Sequence, residues 1–220
     1  MRHIVVVSMA LLVAGCGKEA VSRGKPISHW RETLKGQDAR VRQEAVEALG
    51  ELGPEGTEVV PDLVAALQDK NDLVRAAAAG ALWRISSHAQ DAVPALVAAL
   101  KDPNAFVRLN AVGALGQMSA TTEDVVPALG RALKDQDPNV RYTAAKSLEG
   151  LGQEARSAVP SLTLALKDKD KNVRARAAYA LGGIGAEAAA AVPALKAMLQ
   201  EKDGSIRGAA SFALRKIQPK

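Results

Sequence analysis

The sequence predicts an all-α fold, an α-solenoid of six 33-residue helical hairpins, and three observations carry that prediction. Arg42, Arg75, Arg108, Arg141, Arg174 and Arg207 recur every 33 residues without insertion or deletion. A fixed period of this size marks one supersecondary unit stacked repeatedly. Around each Arg, apolar residues keep to a single helical face. The composition agrees, since 48% of the 220 residues are hydrophobic but only 3% are aromatic. That is material for closely packed helices, with little for a sandwich or barrel. In such a stack each unit buries its apolar side only against its neighbours, so the chain builds an extended surface and not a closed pocket. A binding surface is the expected function, and an enzyme active site needs separate signals.

The chain opens on a targeting pattern. Met1-Arg2-His3 is a short positive start, and Ile4 to Val13 is an apolar run broken only by Ser8. Ten residues rise about 15 Å as a helix, half of a bilayer core, so this stretch suits a signal sequence and not a membrane span. Leu12-Val13-Ala14-Gly15-Cys16 follows and resembles the bacterial lipobox. The resemblance implies a signal peptide over residues 1–15 and Cys16 as the lipidated first residue of the mature chain. It also implies a bacterial cell-envelope location with a membrane anchor. Several acyl chains on one residue satisfy the two-signal condition for stable anchoring. Cys16 is the only cysteine, which excludes a disulfide within the chain. Residues 16–25 are polar and aperiodic and read as a tether, with the repeat domain over 26–220.

Within the repeat, Asp38, Asn71, Asn104, Asp137, Asp170 and Asp203 form one column. These side chains accept bonds from the free amides of a first helical turn, so the column marks the N-cap of each second helix. Three residues on stand Val41, Val74, Val107, Val140, Val173 and Ile206, and the stripe continues as in Ala45, Leu49 and Leu52 of unit one. Alanine throughout one column lets neighbouring helices approach closely. The first helices begin near Pro61, Pro94, Pro127, Pro160 and Pro193, as proline suits a first turn. Leucine pairs four apart follow, at 63/67 and equivalent positions. In unit one Pro26 sits two places early, and Trp30 and Leu34 take the leucine slots. Gly53, Gly152 and Gly185 end second helices, with Ser86 and Ser119 in their place elsewhere. No strand pattern is evident.

The run Asp…Val-Arg…Ala…Ala-Leu…Leu-Gly resembles the HEAT repeat, in the short bacterial form also seen in phycobilisome-lyase-type proteins. The resemblance covers about residues 26–217. It implies a polar ladder between units in which an Asp stands six residues before each Arg, as in Asp69/Arg75, Asp102/Arg108, Asp135/Arg141 and Asp168/Arg174. Glu201/Arg207 is a variant. Unit one has Gly36 at this position, so the ladder is expected to lack its acid there. The Arg column has two readings, a stripe of anion-binding guanidiniums or a structural ladder; its regular acidic company favours the ladder.

In stacks of this kind the second helices line the concave side, and functional variation belongs on their exposed positions. Unit one presents Arg40, Glu44, Glu47 and Glu51; unit two presents Leu73, Ala77, Gly80 and Arg84; unit three presents Phe106, Asn110, Gly113 and Gln117. Lys146, then Arg176 and Tyr179, then Phe212 and Lys216 follow, so the groove is expected to grade from acidic to basic. Phe106, Leu109, Tyr142, Tyr179, Trp83 and Arg176 are the candidate partner-binding residues, because aromatics and arginines on a shallow surface are common protein anchors. Packing over neighbouring loops is the alternative for these side chains.

Catalytic patterns are missing. His29 and His88 stand in different units with no metal-ligand spacing, and the paired His-Glu motifs of the iron-dependent HEAT hydroxylase are absent, as are phosphate loops and nucleophile–base pairs. The expectation is a non-enzymatic, membrane-anchored scaffold for a protein partner, with no metal or cofactor. One alternative is a chromophore lyase subunit like the phycobilisome lyases, against which the export signal argues. Another is a nucleic-acid-binding HEAT protein. Net charge is +5, but 29 basic residues are mixed with 24 acidic ones and make no basic track. The last unit keeps Phe212, Leu214 and Ile217 before a short tail, which predicts an exposed apolar end or end-to-end self-association.

Overall fold

The computed structural model describes residues 19–85, 89–118 and 123–218. The signal segment, Cys16, Ser86, His88, Ser119, Pro219 and Lys220 lie outside them. Twelve α-helices alternate short and long among the described residues. The short first helices are α1 (Ile27–Thr33), α3 (Val60–Ala66), α5 (Val93–Ala99), α7 (Val125–Ala132), α9 (Val159–Ala165) and α11 (Val192–Met198). The long second helices are α2 (Ala39–Gly50), α4 (Asp72–Ile85), α6 (Ala105–Gln117), α8 (Pro138–Leu151), α10 (Lys171–Ile184) and α12 (Gly204–Ile217). Each second helix packs on the second helix of the next unit, which makes the stack an all-α solenoid.

The sequence columns explain these elements. In all six units the Asp or Asn column accepts a bond from the backbone amide two residues on, at 2.7–2.9 Å. Such a cap contributes about 1 kcal/mol relative to alanine. The alanine column is completely buried in every unit, from Ala45 to Ala210. Gly53, Gly152 and Gly185 have φ of 59°, 55° and 77°, and at Gly152 and Gly185 ψ is −128° and −141°. Only glycine takes that conformation readily, and it turns the chain out of the long helix. It leads into a 3-10 segment before the next unit, at Gly53–Val59, Gly152–Ala158 and Gly185–Ala191. Val41 departs from its column: it is 41% exposed, whereas its counterparts from Val74 to Ile206 are buried. Among the described residues no helical unit precedes unit one to cover it.

Residues 19–25, read above as part of a tether, are structured. Val21–Ser22 (β1) and Lys25–Pro26 (β2) pair antiparallel, a short strand pair that the sequence reading did not anticipate. The hairpin docks on unit one. Ser22 Oγ donates to the Ala48 carbonyl at 2.6 Å, and the buried Trp30 indole donates to the Ser22 carbonyl at 3.0 Å.

The arginine column forms a ladder whose pairing differs from the expected one. Arg42, Arg75, Arg108, Arg141 and Arg174 spend their carboxylate contact on the next unit, 27 residues ahead, and not on the acid six residues before them. Nε of Arg42, Arg75, Arg108 and Arg141 donates to Asp69, Asp102, Asp135 and Asp168, each at 2.7 Å, with a second bond from the same guanidinium at 2.8–3.0 Å. The residue six before contributes its backbone carbonyl, so Gly36 serves Arg42 as well as an Asp would. Unit one therefore lacks nothing. The incomplete rung is at the other end: among the described residues Arg207 bonds only to the carbonyls of Glu201 and Lys202. Arg174 reaches Glu201 at 3.4 Å, a looser contact than the aspartate rungs make. The bond from Arg42 holds the Asp69 carboxyl below its ordinary range against the opposing effect of burial. At Asp102, Asp135 and Asp168 burial pushes upward most strongly, but the arginine and the cap amide together pull the carboxyl below its ordinary range.

The exposed apolar end expected at unit six is not found among the described residues. Ile217 is buried, and Phe212 and Leu214 are half-buried. Val46, Ala79, Val112, Ala145 and Ala178 form a completely buried column, and α12 places Ser211 there. Arg215 occupies the column in which Gly50, Gly116 and Gly182 abut the following unit. The last helix thus carries its own polar cap, and an end-to-end contact would meet Arg207, Ser211 and Arg215.

Candidate partner-binding groove

A groove of about 840 Å³ opens on the second-helix face of units one to three. Glu47 and Glu51 of α2, Leu73, Gly80, Trp83 and Arg84 of α4, and Phe106 and Asn110 of α6 line it. Its depth follows from one column. Glu47, Lys146, Tyr179 and Phe212 fill that column in units one, four, five and six, but units two and three have Gly80 and Gly113. A Cβ at Gly113 would lie 2.8 Å from three ring atoms of Trp83, so the missing side chain is what lets the indole lie there. Asn110 Nδ2 donates to the Ala76 carbonyl at 2.9 Å and is held across the floor.

This groove leaves large apolar side chains in solvent. Phe106 is 68% exposed, Leu73 55% and Trp83 37%. Burying such side chains fully would contribute roughly 1.5–3 kcal/mol each. The charges around them are balanced. Arg23, from the hairpin, donates to Glu51 through Nε at 3.1 and 2.9 Å and lies 3.8 Å from Glu47. That bond holds the Glu51 carboxyl below its ordinary range. Arg84 sits on the same wall, its Nε 3.3 Å from the Gly50 carbonyl. The acidic start expected from α2 alone is thus offset by a residue of the hairpin.

The rest of the candidate set behaves differently. Arg176 donates to Glu149 at 2.7 Å and to the Tyr142 hydroxyl at 2.8 Å, and its guanidinium lies 5.2 and 5.8 Å from the Tyr142 and Tyr179 ring centres. Tyr179 packs on Phe212 with ring centroids 5.4 Å apart. Leu109 is half-buried against the core. Of the six residues singled out in the sequence, Trp83 and Phe106 share the groove, whereas Tyr142, Tyr179 and Arg176 are engaged by neighbouring units and Leu109 packs against the core. Leu73, which shares the column of Phe106, completes the groove's exposed apolar set and was not among the six anchors. A signal for the engaged residues was present: partners 27 or 34 apart meet between adjacent second helices. Arg176 is 27 from Glu149 and 34 from Tyr142.

The sequence matches a family model described as HEAT repeats over residues 27–96, 86–134 and 126–215. The chain belongs to the HEAT-repeat family. Among solved structures, this HEAT-repeat protein is similar to an engineered protein at 25% identity, covering 87% of this chain and 96% of that one with a TM-score of 0.67. A second engineered protein matches at 23% identity, 88% and 99% coverage and a TM-score of 0.68. A designed armadillo repeat protein in complex with the peptide (KR)4 matches at 18% identity, 87% and 99% coverage and a TM-score of 0.69. These likenesses establish the solenoid fold. Among curated proteins no sequence matches the chain. HEAT and armadillo solenoids are scaffolds used for protein binding, and function lies in the side chains that vary on them.

Proposed function

We infer that this protein is a non-enzymatic HEAT-repeat scaffold, held at a bacterial cell envelope by lipid on Cys16, that binds a protein partner in the groove of units one to three. The observation that carries the binding role is the cluster of Leu73, Trp83 and Phe106. Three large apolar side chains stand in solvent around one groove, on helices that keep the N-cap and buried-alanine columns. Clustered aromatic and aliphatic anchors over a rigid floor are what a protein partner buries. The anchor rests on the lipobox ending at Cys16, a sequence argument outside the described residues.

Two experiments test the two parts. Chemical crosslinking in native cells and purification of the protein, followed by mass spectrometry, identifies the partner. Phe106→Ser with Leu73→Ser should abolish its recovery, while Leu164→Ser, which removes an exposed leucine on α9, should not. Equal recovery by all three proteins would remove the groove from consideration. For the anchor, metabolic labelling with an alkyne fatty acid should mark the wild-type protein and not Cys16→Ser.

A further inference from the structure

Arg23 stands in the first of two positive-φ positions, 51° at Arg23 and 73° at Gly24, of the turn that joins β1 to β2. Two-residue turns of this kind favour Asn, Asp or Gly there, and a long side chain is a poor choice for the backbone. The side chain accounts for the residue. Its Nε donates to both Glu51 carboxylate oxygens and its terminal nitrogen to one of them at 2.5 Å, with Glu47 alongside. Glu47 and Glu51 form a wall of the groove. The hairpin therefore delivers a guanidinium into the site where a partner would lie.

We propose that the Glu47–Glu51 wall is an arginine-binding subsite of the groove, occupied in the free protein by Arg23. The partner segment presents an arginine that takes the place of Arg23, and an apolar side chain of the same segment rests over the Gly80 floor against Trp83 and Phe106. This rests on the groove being the partner site, and it adds the chemistry of the segment that fills it. A carboxylate that already engages Nε and a terminal nitrogen suits a planar guanidinium better than an ammonium. The Arg23–Glu51 pair is 34% and 47% exposed, and exposed pairs of this kind are weak, so a partner can displace it. Gly80 is the counterpart of Glu47 in the next unit, one helix spacing of about 8–10 Å away. An extended segment covers that distance in about three residues. Arg84 is the second cation on the wall and stays on the Gly50 carbonyl.

The test is selection of a phage-displayed random dodecapeptide library on the whole protein, followed by affinity measurement with synthetic copies of recovered peptides. Recovered peptides should carry an arginine three or four residues from Phe, Leu or Trp, and Arg→Gln in the peptide should weaken binding about tenfold or more. Arg23→Asn keeps a residue suited to the turn and removes the cation. It should tighten the arginine peptide by up to about fivefold, the limit set by an exposed pair, and leave the glutamine peptide unchanged. Glu51→Gln should lose the arginine preference, while Glu44→Gln, an equal change of charge beside the wall, should keep it. Peptides that need Phe106 but show no arginine preference, or no response to Arg23→Asn, would overturn the subsite and leave the groove. Peptides that bind Phe106→Ser as well as wild type, or no recovery above a blank surface, would overturn both.

Discussion

Units one to three and units four to six share a backbone plan and the same columns, yet they use their second-helix face in opposite ways. In the first half Leu73, Trp83 and Phe106 stand in solvent around a glycine floor. In the second half Tyr142, Glu149, Arg176, Tyr179 and Phe212 close on one another. A solenoid face is thus not uniformly a binding surface. Where a column carries long side chains in consecutive units, they satisfy each other; where it carries glycine, an opening appears. The acidic α2 wall receives an arginine from the hairpin, so even the open half has one occupied position.

Acid should have the largest effect, because it removes rungs throughout the stack at once. Asp69, Asp102, Asp135 and Asp168 are all held below their ordinary range in the folded protein. Their contribution is whole above the unfolded value of about 4 and is lost as pH falls through the lower folded values. Helicity followed by circular dichroism should hold from neutral pH to about pH 4 and then fall cooperatively. A loss already complete at pH 5 would place the sensitivity elsewhere.

Cutting one rung at the seam between the halves comes next. Arg108 of unit three and Asp135 of unit four are 6% and 11% exposed as side chains. Asp135→Ala leaves a buried guanidinium without its carboxylate, at a cost of about 3 kcal/mol. Arg207→Ala, at the exposed end of the same column, should change urea stability by less than about 0.5 kcal/mol. Equal losses for both would mean that the ladder's burial does not set its contribution.

Much of this was legible in the sequence, and the reason is periodicity. The N-cap column, the buried alanines and the positive-φ glycines each impose one local requirement six or fewer times, and each residue type states it. What columns do not convey is whether a neighbour's side chain covers a position. Tyr142 and Phe106 are equally aromatic and face similar solvent in the column reading; Arg176, one unit on, decides that only Phe106 is open. The hairpin was hidden for another reason. Its tip is Arg23-Gly24 and not the Asn-Gly that announces such a turn, and its contacts with Ala48 and Glu51 lie 26 and 28 residues away.

Two glycines sharpen the comparison by a smaller amount. A Cβ at Gly182 would lie 2.9 Å from Phe212 and 3.0 Å from the Ala213 Cα, a side chain stacked on Tyr179 and a backbone atom. Overpacking there costs about 1–3 kcal/mol, against about 1 kcal/mol gained from alanine's helix propensity. Gly182→Ala should therefore be destabilising or at best neutral. The three atoms nearest a Cβ at Gly113 all belong to the Trp83 ring, a side chain 37% exposed and so with solvent to move into. Gly113→Ala should leave stability within about 1 kcal/mol of wild type and shift Trp83 fluorescence to the red. The opposite ranking in thermal melts would mean that the first half is as tightly closed as the second.

The smallest effect on folding is expected where the effect on function is largest. Phe106→Ser and Leu73→Ser remove side chains that touch little of the core, so each should change unfolding free energy by no more than about 0.5 kcal/mol. Tyr142→Ala, in the equivalent half-buried cluster, loses the Arg176 bond and ring contact and should cost about 1–2 kcal/mol. Urea melts of the three variants separate the halves directly: stability falls in the closed half, and partner recovery falls in the open one. If Phe106→Ser destabilised the protein as much as Tyr142→Ala does, Phe106 would be a packing residue and its exposure would carry no functional meaning.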